Sequence, residues 1–339
     1  MNVLVTGGAG YIGSHTCVEL IQKGYRPVVV DNLCNASVKS LERVEEITGA
    51  AIPFHEGDVR DEALLEQIFG QYKIDCVIHF AGLKAVGESV SMPLTYYDNN
   101  LNSTMTLCRV MDRWNVRSIV FSSSATVYSG DNEMPLREDS RTGNCTNPYG
   151  WTKYMCEQIL RDIAEADPRW SVVLLRYFNP VGAHASGAIG EHPNGTPNNL
   201  MPYIAQTAVG KREHLNVFGN DYPTPDGSNI RDYIDVVDLA RAHVVAIARL
   251  IEGKNKENYE IFNIGTGRAV SVLELVNTFE RVNELKLNYK VAPRRPGDVV
   301  AIWADTTHAN EELGWKAERS LDDTLRSAWA WEKNVRGIK

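Results

Sequence analysis

The stretch Val3-Leu4-Val5-Thr6-Gly7-Gly8-Ala9-Gly10-Tyr11-Ile12-Gly13 decides the fold of this chain. Its apolar start predicts a buried strand, and residues 11 to 22, which overlap the last of the glycines, predict a helix. Glycines between a strand and a helix allow a tight turn, bring the backbone close to a pyrophosphate and leave room for helix packing. The phosphates would then lie at the helix N-terminus. Although Gly7 and Gly10 stand one residue further apart than in the usual motif, strand, glycines and helix together predict dinucleotide binding.

An acidic residue, Asp31, ends the next strand candidate, Pro27–Asp31. It stands 18 residues after Gly13, where a carboxylate can bind both hydroxyls of an adenine ribose. The same carboxylate would repel a 2′-phosphate, so we predict NAD rather than NADP as the cofactor. The alternative is a plain glycine-rich turn with a solvated aspartate. Under that alternative, the strand, the glycines, the helix and the acid would occur together only by coincidence.

Apolar strand candidates and helical segments alternate over the rest of the chain. The strand candidates are Cys76–Phe80, Ser118–Ser122, Val172–Tyr177 and Tyr259–Ile264, and the helical segments include Glu62–Phe69, Thr104–Trp114 and Val272–Phe279. Continuous apolar strands separated by helices indicate a parallel sheet that is covered on both faces. We therefore predict an α/β fold, a Rossmann-type doubly wound parallel sheet, whose functional loops follow the carboxyl ends of the strands.

The composition of the chain changes near residue 179. The segment from Asn179 to Asp232 is rich in Gly, Pro and Asn, and its stretches Asn194–Asn199 and Asp221–Gly227 are typical of turns. We predict an NAD-binding domain over residues 1–178 and a smaller C-terminal α/β domain for the substrate over residues 179–339. Segments near 235–264 could return to the first domain.

The overall composition is that of an ordinary folded protein, and it limits the partners. The chain has 339 residues, of which 43% are hydrophobic and 23% are charged, and its formal net charge is −8. An acidic chain does not favour nucleic acid or anionic membranes as partners. No apolar run reaches membrane-spanning length, and a strand at the start leaves no room for a signal peptide, so we expect a cytoplasmic protein. The cysteines and histidines lack paired or metal-ligand spacing, so we expect neither disulfides nor a metal site.

A predicted helix start at Asn147 carries the candidate for proton transfer. Asn147 is a good N-cap, and Pro148 suits the first helical turn. Tyr149 and Lys153 then stand four residues apart on one face of the helix. A free tyrosine has a pKa near ~10, and an ammonium beside it favours the phenolate, so the pair could take a proton from an alcohol. A packed tyrosine beside a solvated lysine is the plainer interpretation of the same spacing.

A serine cluster follows the strand candidate that ends at Ser122. The cluster includes Ser124, which should lie at the edge of the sheet where a ligand binds. A hydroxyl there could hydrogen-bond a substrate oxygen and pass protons to a base. Serines after strands also serve turn formation, and that alternative stays open.

The opening glycines, Ser124 and the Tyr149/Lys153 pair resemble those of extended short-chain dehydrogenases/reductases. Longer blocks resemble one family among them, the UDP-galactose 4-epimerases, over nearly the whole chain. They are far more specific than the glycine motif. These blocks are Phe80–Ser89, Tyr97–Asn100, Leu175–His184, Asn198–Tyr203 and Arg231–Ile234.

The resemblance implies an NAD-dependent isomerase that interconverts UDP-glucose and UDP-galactose. Tyr149 would remove the proton of the sugar's 4-hydroxyl, and Ser124 would bridge the 4-oxygen and Tyr149. Lys153 and the nicotinamide charge would lower the pKa of Tyr149, and Lys153 would also hold the nicotinamide ribose. NAD⁺ would take the hydride from C4, and the bound 4-keto sugar would turn and receive it on its other face. The resemblance further implies a homodimer formed through helices of the first domain.

Two sets of binding residues are implied by the same resemblance. The cofactor would be bound by Gly7, Gly10, Tyr11, Ile12, Gly13, Asp31, Asn32, Asn35, Asp58, Val59, Phe80, Ala81, Gly82, Lys84, Asn99, Ser124, Tyr149, Lys153 and Phe178. The UDP-hexose would be bound by Lys84, Ser124, Tyr149, Asn179, Asn199, Leu200, Asn216, Phe218, Arg231, Arg295, Asp298 and Ile302. The presence of Arg231 and Arg295 in the second set makes physical sense, because an acidic protein that binds a diphosphate needs local guanidinium groups.

Three positions depart from the pattern of the family. Ser129 stands where a glycine is usual and Asp235 where a histidine is common, and neither position has a catalytic role in the family. Ile302 stands where the family's residue limits the room beside the sugar's 2-substituent. A tyrosine there goes with plain hexoses and a small residue with N-acetylated sugars, so we predict a preference for UDP-glucose and UDP-galactose with some activity on their N-acetylated counterparts. Plain core packing is the other interpretation of Ile302.

Two other functions fit parts of the sequence. Nucleotide-sugar 4,6-dehydratases and decarboxylases of the same fold resemble one another in placing an acid shortly before the position of Val127. Here Ser124, Ala125 and Thr126 precede Val127, so elimination lacks its carboxylate. A non-catalytic dinucleotide-binding sensor would generally lack the Tyr149/Lys153 pair, which this chain keeps.

Overall fold

The continuous apolar runs of the chain form the strands of one central sheet. The computed structural model describes residues 1–195, 197–295 and 298–338. The predicted turn Asn194–Asn199 includes Thr196, which lies outside the described ranges. Pro296 and Gly297, which stand between the predicted substrate residues Arg295 and Asp298, also lie outside them.

The strands and helices of the described ranges alternate along most of the chain. The strands are β1 (Asn2–Thr6), β2 (Arg26–Asp31), β3 (Phe54–Glu56), β4 (Ile74–His79), β5 (Ser118–Ser124), β6 (Ser171–Tyr177), β7 (Asn179–Val181), β8 (Leu215–Phe218), β9 (Ile230–Arg231), β10 (Tyr233–Asp235), β11 (Tyr259–Ile264), β12 (Val270–Ser271), β13 (Tyr289–Ala292) and β14 (Ala301–Ile302). The helices are α1 (Tyr11–Gln22), α2 (Lys39–Thr48), α3 (Glu62–Gln71), α4 (Val86–Ser91), α5 (Pro93–Arg113), α6 (Pro148–Ala166), α7 (Leu200–Ala208), α8 (Val236–Ile251), α9 (Val272–Asn283) and α10 (Leu321–Val335). A 3₁₀ turn covers Ala125–Val127 and a π-helical turn covers Ala309–Leu313.

The central sheet has seven strands in the order β11-β6-β5-β4-β1-β2-β3, and every neighbouring pair is parallel. From β1 the chain runs outward through β2 and β3 and then returns to place β4 on the other side of β1. The predicted α/β fold with a doubly wound parallel sheet is therefore confirmed. At such a reversal of strand order, the carboxyl ends of the strands leave a crevice in which a ligand can bind.

Successive residues of β1 face opposite cores. Val3 and Val5 belong to one apolar cluster together with Leu239 of α8, whereas Leu4 belongs to the other cluster together with Leu107 of α5. All five side chains are fully buried. Because helices cover both faces of the sheet, its strands appear in the sequence as continuous apolar runs rather than alternating ones.

Helix α6 begins where the sequence predicts. The Asn147 side chain accepts a hydrogen bond from the Gly150 N–H at 2.9 Å, and Pro148 occupies the first turn. The helix ends at Ala166, shortly before Pro168. It packs beside α5 and against β5 and β6, so its first turns lie next to the end of β5.

Helix α5 is longer than predicted. It begins at Pro93, whereas the apolar pattern predicts a start at Thr104. The first half of the helix buries Tyr96 and Asn100, whose polar atoms are hydrogen-bonded, and it lacks a stripe of apolar residues. A criterion based on apolar spacing cannot find such a segment.

Two elements of the C-terminal half belong to the layers of the central sheet. Strand β11 pairs with β6 over Tyr259–Ile264, and α8 packs against α1. The other elements form the small sheets β10-β7, β13-β8 and β12-β9-β14, and α7, α9 and α10 share a separate core around Leu275 and Phe279. Among the described residues, no helix is both long and apolar enough to cross a membrane.

Gly13 lies where α1 meets the loop that follows β1. A Cβ atom added at Gly13 would lie 2.4 Å from the Gly7 carbonyl oxygen and 2.7 Å from the Gly8 Cα. Both neighbours are backbone atoms, so they cannot move aside as the end of a flexible side chain could. The close packing of helix and loop therefore requires glycine at this position.

Replacing Gly13 by alanine should destabilise the protein, because the added methyl group must push the loop away from α1. We expect Gly13→Ala to lower the free energy of unfolding by about 1–3 kcal/mol, the usual cost of overpacking, as measured by urea unfolding. Gly87→Ala is the matched control, because Gly87 lies in exposed α4 with no atom within 4 Å of the added Cβ. It should be neutral or slightly stabilising, since alanine favours a helix by roughly 0.5–1 kcal/mol. Equal losses in the two variants would contradict the close packing.

Candidate active site

A cavity of about 710 Å³ opens at the carboxyl ends of the central strands. All residues predicted to bind the cofactor lie on its wall: Gly7, Gly10, Tyr11, Ile12, Gly13, Asp31, Asn32, Asn35, Asp58, Val59, Phe80, Ala81, Gly82, Lys84, Asn99, Ser124, Tyr149, Lys153 and Phe178. Five residues predicted to bind the substrate also line it: Lys84, Ser124, Tyr149, Asn179 and Asn199. Side chains from both halves of the chain therefore face one space.

The loop between β1 and α1 fits a dinucleotide. Gly7 has a φ of +71°, and a Cβ there would lie 2.8 Å from the Ala81 backbone nitrogen, so only glycine leaves this approach open. Helix α1 begins at Tyr11 without a side-chain cap and without an acidic residue in its first turn. Its N-terminal N–H groups therefore face the cavity uncovered by side chains, which is the arrangement that binds phosphates.

The Asp31 carboxylate lies beside this loop. It accepts hydrogen bonds from the backbone N–H groups of Ala9 at 3.1 Å and Leu33 at 2.9 Å. Burial raises the pKa of Asp31, and the backbone hydrogen bonds limit that rise. The carboxylate is held at the end of β2, where it can accept hydrogen bonds from the hydroxyls of an adenine ribose.

Lys153 is buried at the end of β5. Its ammonium donates a hydrogen bond to the Ser122 carbonyl oxygen at 2.6 Å, and its Nζ atom lies 4.8 Å from the centre of the Phe121 ring. Burial lowers the pKa of Lys153 to about 8, and the neighbouring Cys156 and Glu157 act in the opposite direction. Lys153 is therefore not the solvated lysine of the plainer interpretation.

Tyr149 has a raised pKa rather than a lowered one. Burial raises the pKa of Tyr149, and a hydrogen bond with Ser124 opposes this rise in part. The prediction that Lys153 and the nicotinamide charge together lower the pKa of Tyr149 stays a prediction, because the protein groups alone give a net rise. The physical reason is that the site is removed from water and that the Lys153 ammonium donates to the Ser122 carbonyl.

Ser124 ends β5 and caps the 3₁₀ turn that follows. Its Oγ atom accepts hydrogen bonds from the Thr126 N–H at 3.2 Å and from the Thr126 hydroxyl at 3.0 Å. Because both lone pairs of this oxygen are used, the Ser124 hydrogen remains for donation to another group. Turn formation and a role in the site are therefore compatible.

Asn100 joins two walls of the cavity, and sequence reasoning missed it. Its side chain accepts a hydrogen bond from the Leu83 N–H at 2.8 Å and donates one to the Leu83 carbonyl at 3.0 Å. It also donates to the Thr152 hydroxyl at 2.9 Å, which in turn donates to the Tyr149 carbonyl at 2.8 Å. The amide thus connects the loop after β4 to the first turn of α6. The adjacent Asn99 drew attention as a cofactor residue, but no signal marked Asn100 as the connecting side chain.

Glu191 is a second residue that sequence reasoning missed. Its Oε1 atom accepts a hydrogen bond from the Asn199 side chain at 2.6 Å and lies 3.6 Å from the Lys84 ammonium. Its Oε2 atom is buried without a hydrogen-bond partner among the described residues. Glu191 lies in a loop with no periodic pattern, so the residues around it did not mark it as part of the site.

Seven of the predicted substrate residues do not line the cavity: Leu200, Asn216, Phe218, Arg231, Arg295, Asp298 and Ile302. Most of them form a neighbouring group around Asp298. The Asp298 carboxylate lies 2.9 Å from the Arg295 guanidinium and 3.6 Å from that of Arg231. Arg295 also lies over the Phe218 ring, at 5.5 Å from its centre, and Ile302 pairs with Arg231 across β14 and β9.

The remaining two residues of this set lie next to that group or to the cavity. Leu200 begins α7 directly after the cavity residue Asn199, and Asn216 lies on β8 two positions before Phe218. Within the described ranges, no three His, Cys, Asp or Glu side chains are grouped so that they could hold a metal ion.

Comparison with known proteins gives a family for this site. A family model described as GDP-mannose 4,6 dehydratase matches residues 4–328 of the chain. The chain is 56% identical over 340 residues to the UDP-glucose 4-epimerase of Bacillus subtilis (strain 168), and the alignment covers 100% of this chain and 99% of that protein. It is 54% identical to the UDP-glucose 4-epimerase of Yersinia pestis, over 99% of both chains.

Solved structures agree with these relatives. The crystal structure of UDP-glucose 4-epimerase from Bifidobacterium longum in complex with NAD⁺ and UDP matches with a TM-score of 0.95 and 54% identity, over 100% of both chains. The enzyme from Stenotrophomonas maltophila with bound NAD and formylated UDP-arabinopyranose matches with a TM-score of 0.96 and 47% identity, over 99% of both chains. The turn that follows Ser124 carries alanine, threonine and valine, so it lacks the acid that a dehydratase would need.

Proposed function

This chain belongs to the family of UDP-glucose 4-epimerases, and we propose that it interconverts UDP-glucose and UDP-galactose with NAD bound. The observation that carries the proposal is that Tyr149, Lys153 and Ser124 share one cavity with the glycine loop Gly7–Gly13. One part of the wall offers groups for proton transfer, and another offers a place for the phosphates of a dinucleotide. Oxidation at C4 followed by reduction at the same carbon needs both.

NAD, when bound, supplies a reversible acceptor for the hydride of C4. The residues of the chain that hold it are proposed from their positions. The glycine loop and the start of α1 bind the phosphates, Asp31 binds the adenine ribose, and Lys153 binds the nicotinamide ribose. The uncapped N-terminus of α1 and the close approach at Gly7 support this assignment.

Tyr149 is the proposed base of the reaction. It takes the proton of the 4-hydroxyl during oxidation and returns it during reduction, and the Ser124 hydrogen is donated to the 4-oxygen. With a pKa of about 8, Lys153 is mostly ammonium at neutral pH, so it stabilises the phenolate of Tyr149. A single base serves both steps, because the sugar turns between them while its 4-oxygen stays near Tyr149.

The UDP part of the substrate is assigned to the group around Asp298. Arg231 and Arg295 offer guanidinium groups to the diphosphate, and the Phe218 ring offers a flat apolar surface. Arg231 is partly buried, and burial lowers its pKa without removing its charge at neutral pH. On the cavity side, Asn179 and Asn199 are proposed to bind the sugar nucleotide, with Asn199 oriented by Glu191.

We further propose that residues 1–178, together with α8 and β11, form the cofactor domain of a cytoplasmic homodimer. The pairing of β11 with β6 and the packing of α8 on α1 support this domain assignment. The dimer proposal rests on α5 and α6, which lie side by side. Their apolar residues Leu101, Met105 and Ile159 are only partly buried. A second subunit that packs on these helices would cover the apolar surface that they leave exposed.

Tyr149→Phe tests the proposed base. The substitution keeps the ring and removes the hydroxyl, so we expect turnover of UDP-galactose to fall roughly 10²–10⁴-fold, the usual contribution of general acid–base catalysis. A coupled assay of UDP-glucose formation measures it. Tyr154→Phe makes the same change further along α6, at a partly buried ring that does not line the cavity, and should stay close to wild type. Full activity of Tyr149→Phe would show that another group moves the proton.

Ile302 is the proposed determinant of sugar preference. It packs against the cluster that contains Phe178, a residue of the cavity wall. Ile302→Tyr should reduce turnover of UDP-N-acetylgalactosamine relative to UDP-galactose by at least roughly 10-fold, and Ile302→Ala should raise that ratio, since small volume changes in a pocket discriminate to this extent. The coupled assay with both substrates measures the ratio. Equal or better turnover of UDP-N-acetylglucosamine by the wild type would contradict the predicted preference.

The homodimer can be tested in solution. We expect the wild type to sediment as a dimer and Leu101→Glu to shift the equilibrium toward monomer, because a carboxylate would be buried without a partner at the helix pair. Sedimentation velocity measures both. Val291→Glu is the control, since Val291 is 50% exposed on β13, away from α5 and α6. A monomeric wild type would exclude the proposed dimer.

A further inference from the structure

An ion pair is buried between α6 and the ends of β5 and β6. Arg176 and Glu157 are 2% and 4% exposed, so neither charge reaches water. The Arg176 guanidinium donates two parallel hydrogen bonds to the Glu157 carboxylate, from Nε to Oε1 at 2.9 Å and from Nη2 to Oε2 at 2.7 Å. This paired geometry is the strongest that the two side chains can form.

Each member of the pair is tied to further elements. The Ser123 hydroxyl donates a hydrogen bond to Glu157 Oε1, and the Glu138 carbonyl accepts one from Arg176 Nη1 at 3.1 Å. The Arg176 guanidinium also lies over the Tyr128 ring, with Cζ 4.7 Å from the ring centre. The pair thus fastens α6, β5, β6 and the loop after β5 to one another.

The neighbours of these residues are those of the active site. Glu157 stands one helical turn after Lys153, and Ser123 directly precedes Ser124. Arg176 is followed by Tyr177 and Phe178, both on the cavity wall. Helix α6 is therefore joined to β5 at two successive residues, through Lys153 to the Ser122 carbonyl and through Glu157 to the Ser123 hydroxyl.

We propose that Glu157 and Arg176 are positioning residues: their ion pair holds Lys153 and Ser124 in place, and Glu157 puts a carboxylate one helical turn from Lys153. The inference rests on the proposed function, because it assigns the ion pair to the same proton-transfer site. It adds two residues that contact neither substrate nor cofactor.

The charges around Lys153 support the second part of the proposal. Cys156 and Glu157 both raise the pKa of Lys153 against the lowering by burial, and Glu157 is the carboxylate of the two. The other titratable groups near it are Cys156 and Tyr149 on its own helix, His79 of β4 and, beyond Glu157, Arg176 of β6. Burial lowers the pKa of His79 to about 3, so His79 is neutral at pH 7 and provides no charge. Burial raises the pKa of both Cys156 and Tyr149, so they too are neutral at pH 7.

Removing the charge of Glu157 should shift the pKa of Lys153 in a defined direction. With Glu157→Gln, Lys153 loses the nearby anion while the Arg176 cation remains, so the pKa of Lys153 falls below about 8. A base whose pKa falls loses its proton at lower pH. We expect the alkaline limb of the kcat profile for UDP-galactose to move down by about one pH unit, and kcat at pH 7.5 to fall roughly 3-fold with little change in KM.

A second buried Arg–Glu pair offers a matched control. Arg249 and Glu260 also form two parallel hydrogen bonds, at 2.7 and 2.8 Å, and both side chains are 9% exposed. That pair joins α8 to β11, away from Lys153. Glu260→Gln should lower the Tm as Glu157→Gln does, but it should leave the alkaline limb in place. Glu157→Asp keeps the charge, and its alkaline limb should therefore remain close to wild type even if its Tm falls.

The outcomes separate a positioning role from a purely structural one. If Glu157→Gln lowers the Tm but keeps the wild-type alkaline limb, as Glu260→Gln should, the inference is overturned. If Glu157→Gln does not fold, the double variant Glu157→Gln/Arg176→Met removes the unpaired charge and should restore folding. The folded double variant should have a kcat at least roughly 10-fold below wild type, since misplaced proton-transfer groups cost rate, and a wild-type kcat would overturn the inference. Failure of the wild type to epimerise UDP-galactose would instead contradict the proposed function itself.

Discussion

The hydrogen bond from the Lys153 ammonium to the Ser122 carbonyl oxygen, 2.6 Å long, joins helix α6 to the end of strand β5. The active site depends on this junction. It fixes α6 so that Tyr149, one turn earlier, lines the same cavity as Ser124, two residues beyond Ser122. Reaching the carbonyl also buries Lys153, and burial lowers its pKa to about 8. The geometry and the electrostatics of the site therefore have one origin.

The parallel sheet decides where this junction lies. Strand β1 ends in the glycine loop and its neighbour β4 in the loop Phe80–Lys84, while β5 ends in Ser124. Because all strands run the same way, these ends meet at one edge, so a dinucleotide loop and a proton-transfer pair share a cavity without a special connection. The buried Glu157–Arg176 pair adds β6 to the same junction, and its Glu157 carboxylate raises the pKa of Lys153 against the lowering by burial.

The sequence alone predicted those strands and helices that follow a recognisable residue pattern. Six of the seven central strands were found as apolar runs, but β3, of only three residues, carries no such run. Helix α6 was found from its cap, whereas the first half of α5 was missed because its buried face is polar. Asn100 and Glu191 escaped notice because their importance lies in contacts between distant segments. The burial that raises the pKa of Tyr149 was missed as well, because burial cannot be seen in a helix taken by itself.

The central claim is that the hydrogen of C4 leaves and returns within one closed site, while Tyr149 handles only the proton of the 4-oxygen. Deuterium at C4 of UDP-galactose tests it directly. After turnover in ordinary water, the UDP-glucose product is analysed by mass spectrometry and NMR. We expect the deuterium to remain at C4, because the hydrogen is held in the site and given back to the same carbon. Replacement of the deuterium by hydrogen from water would contradict the account.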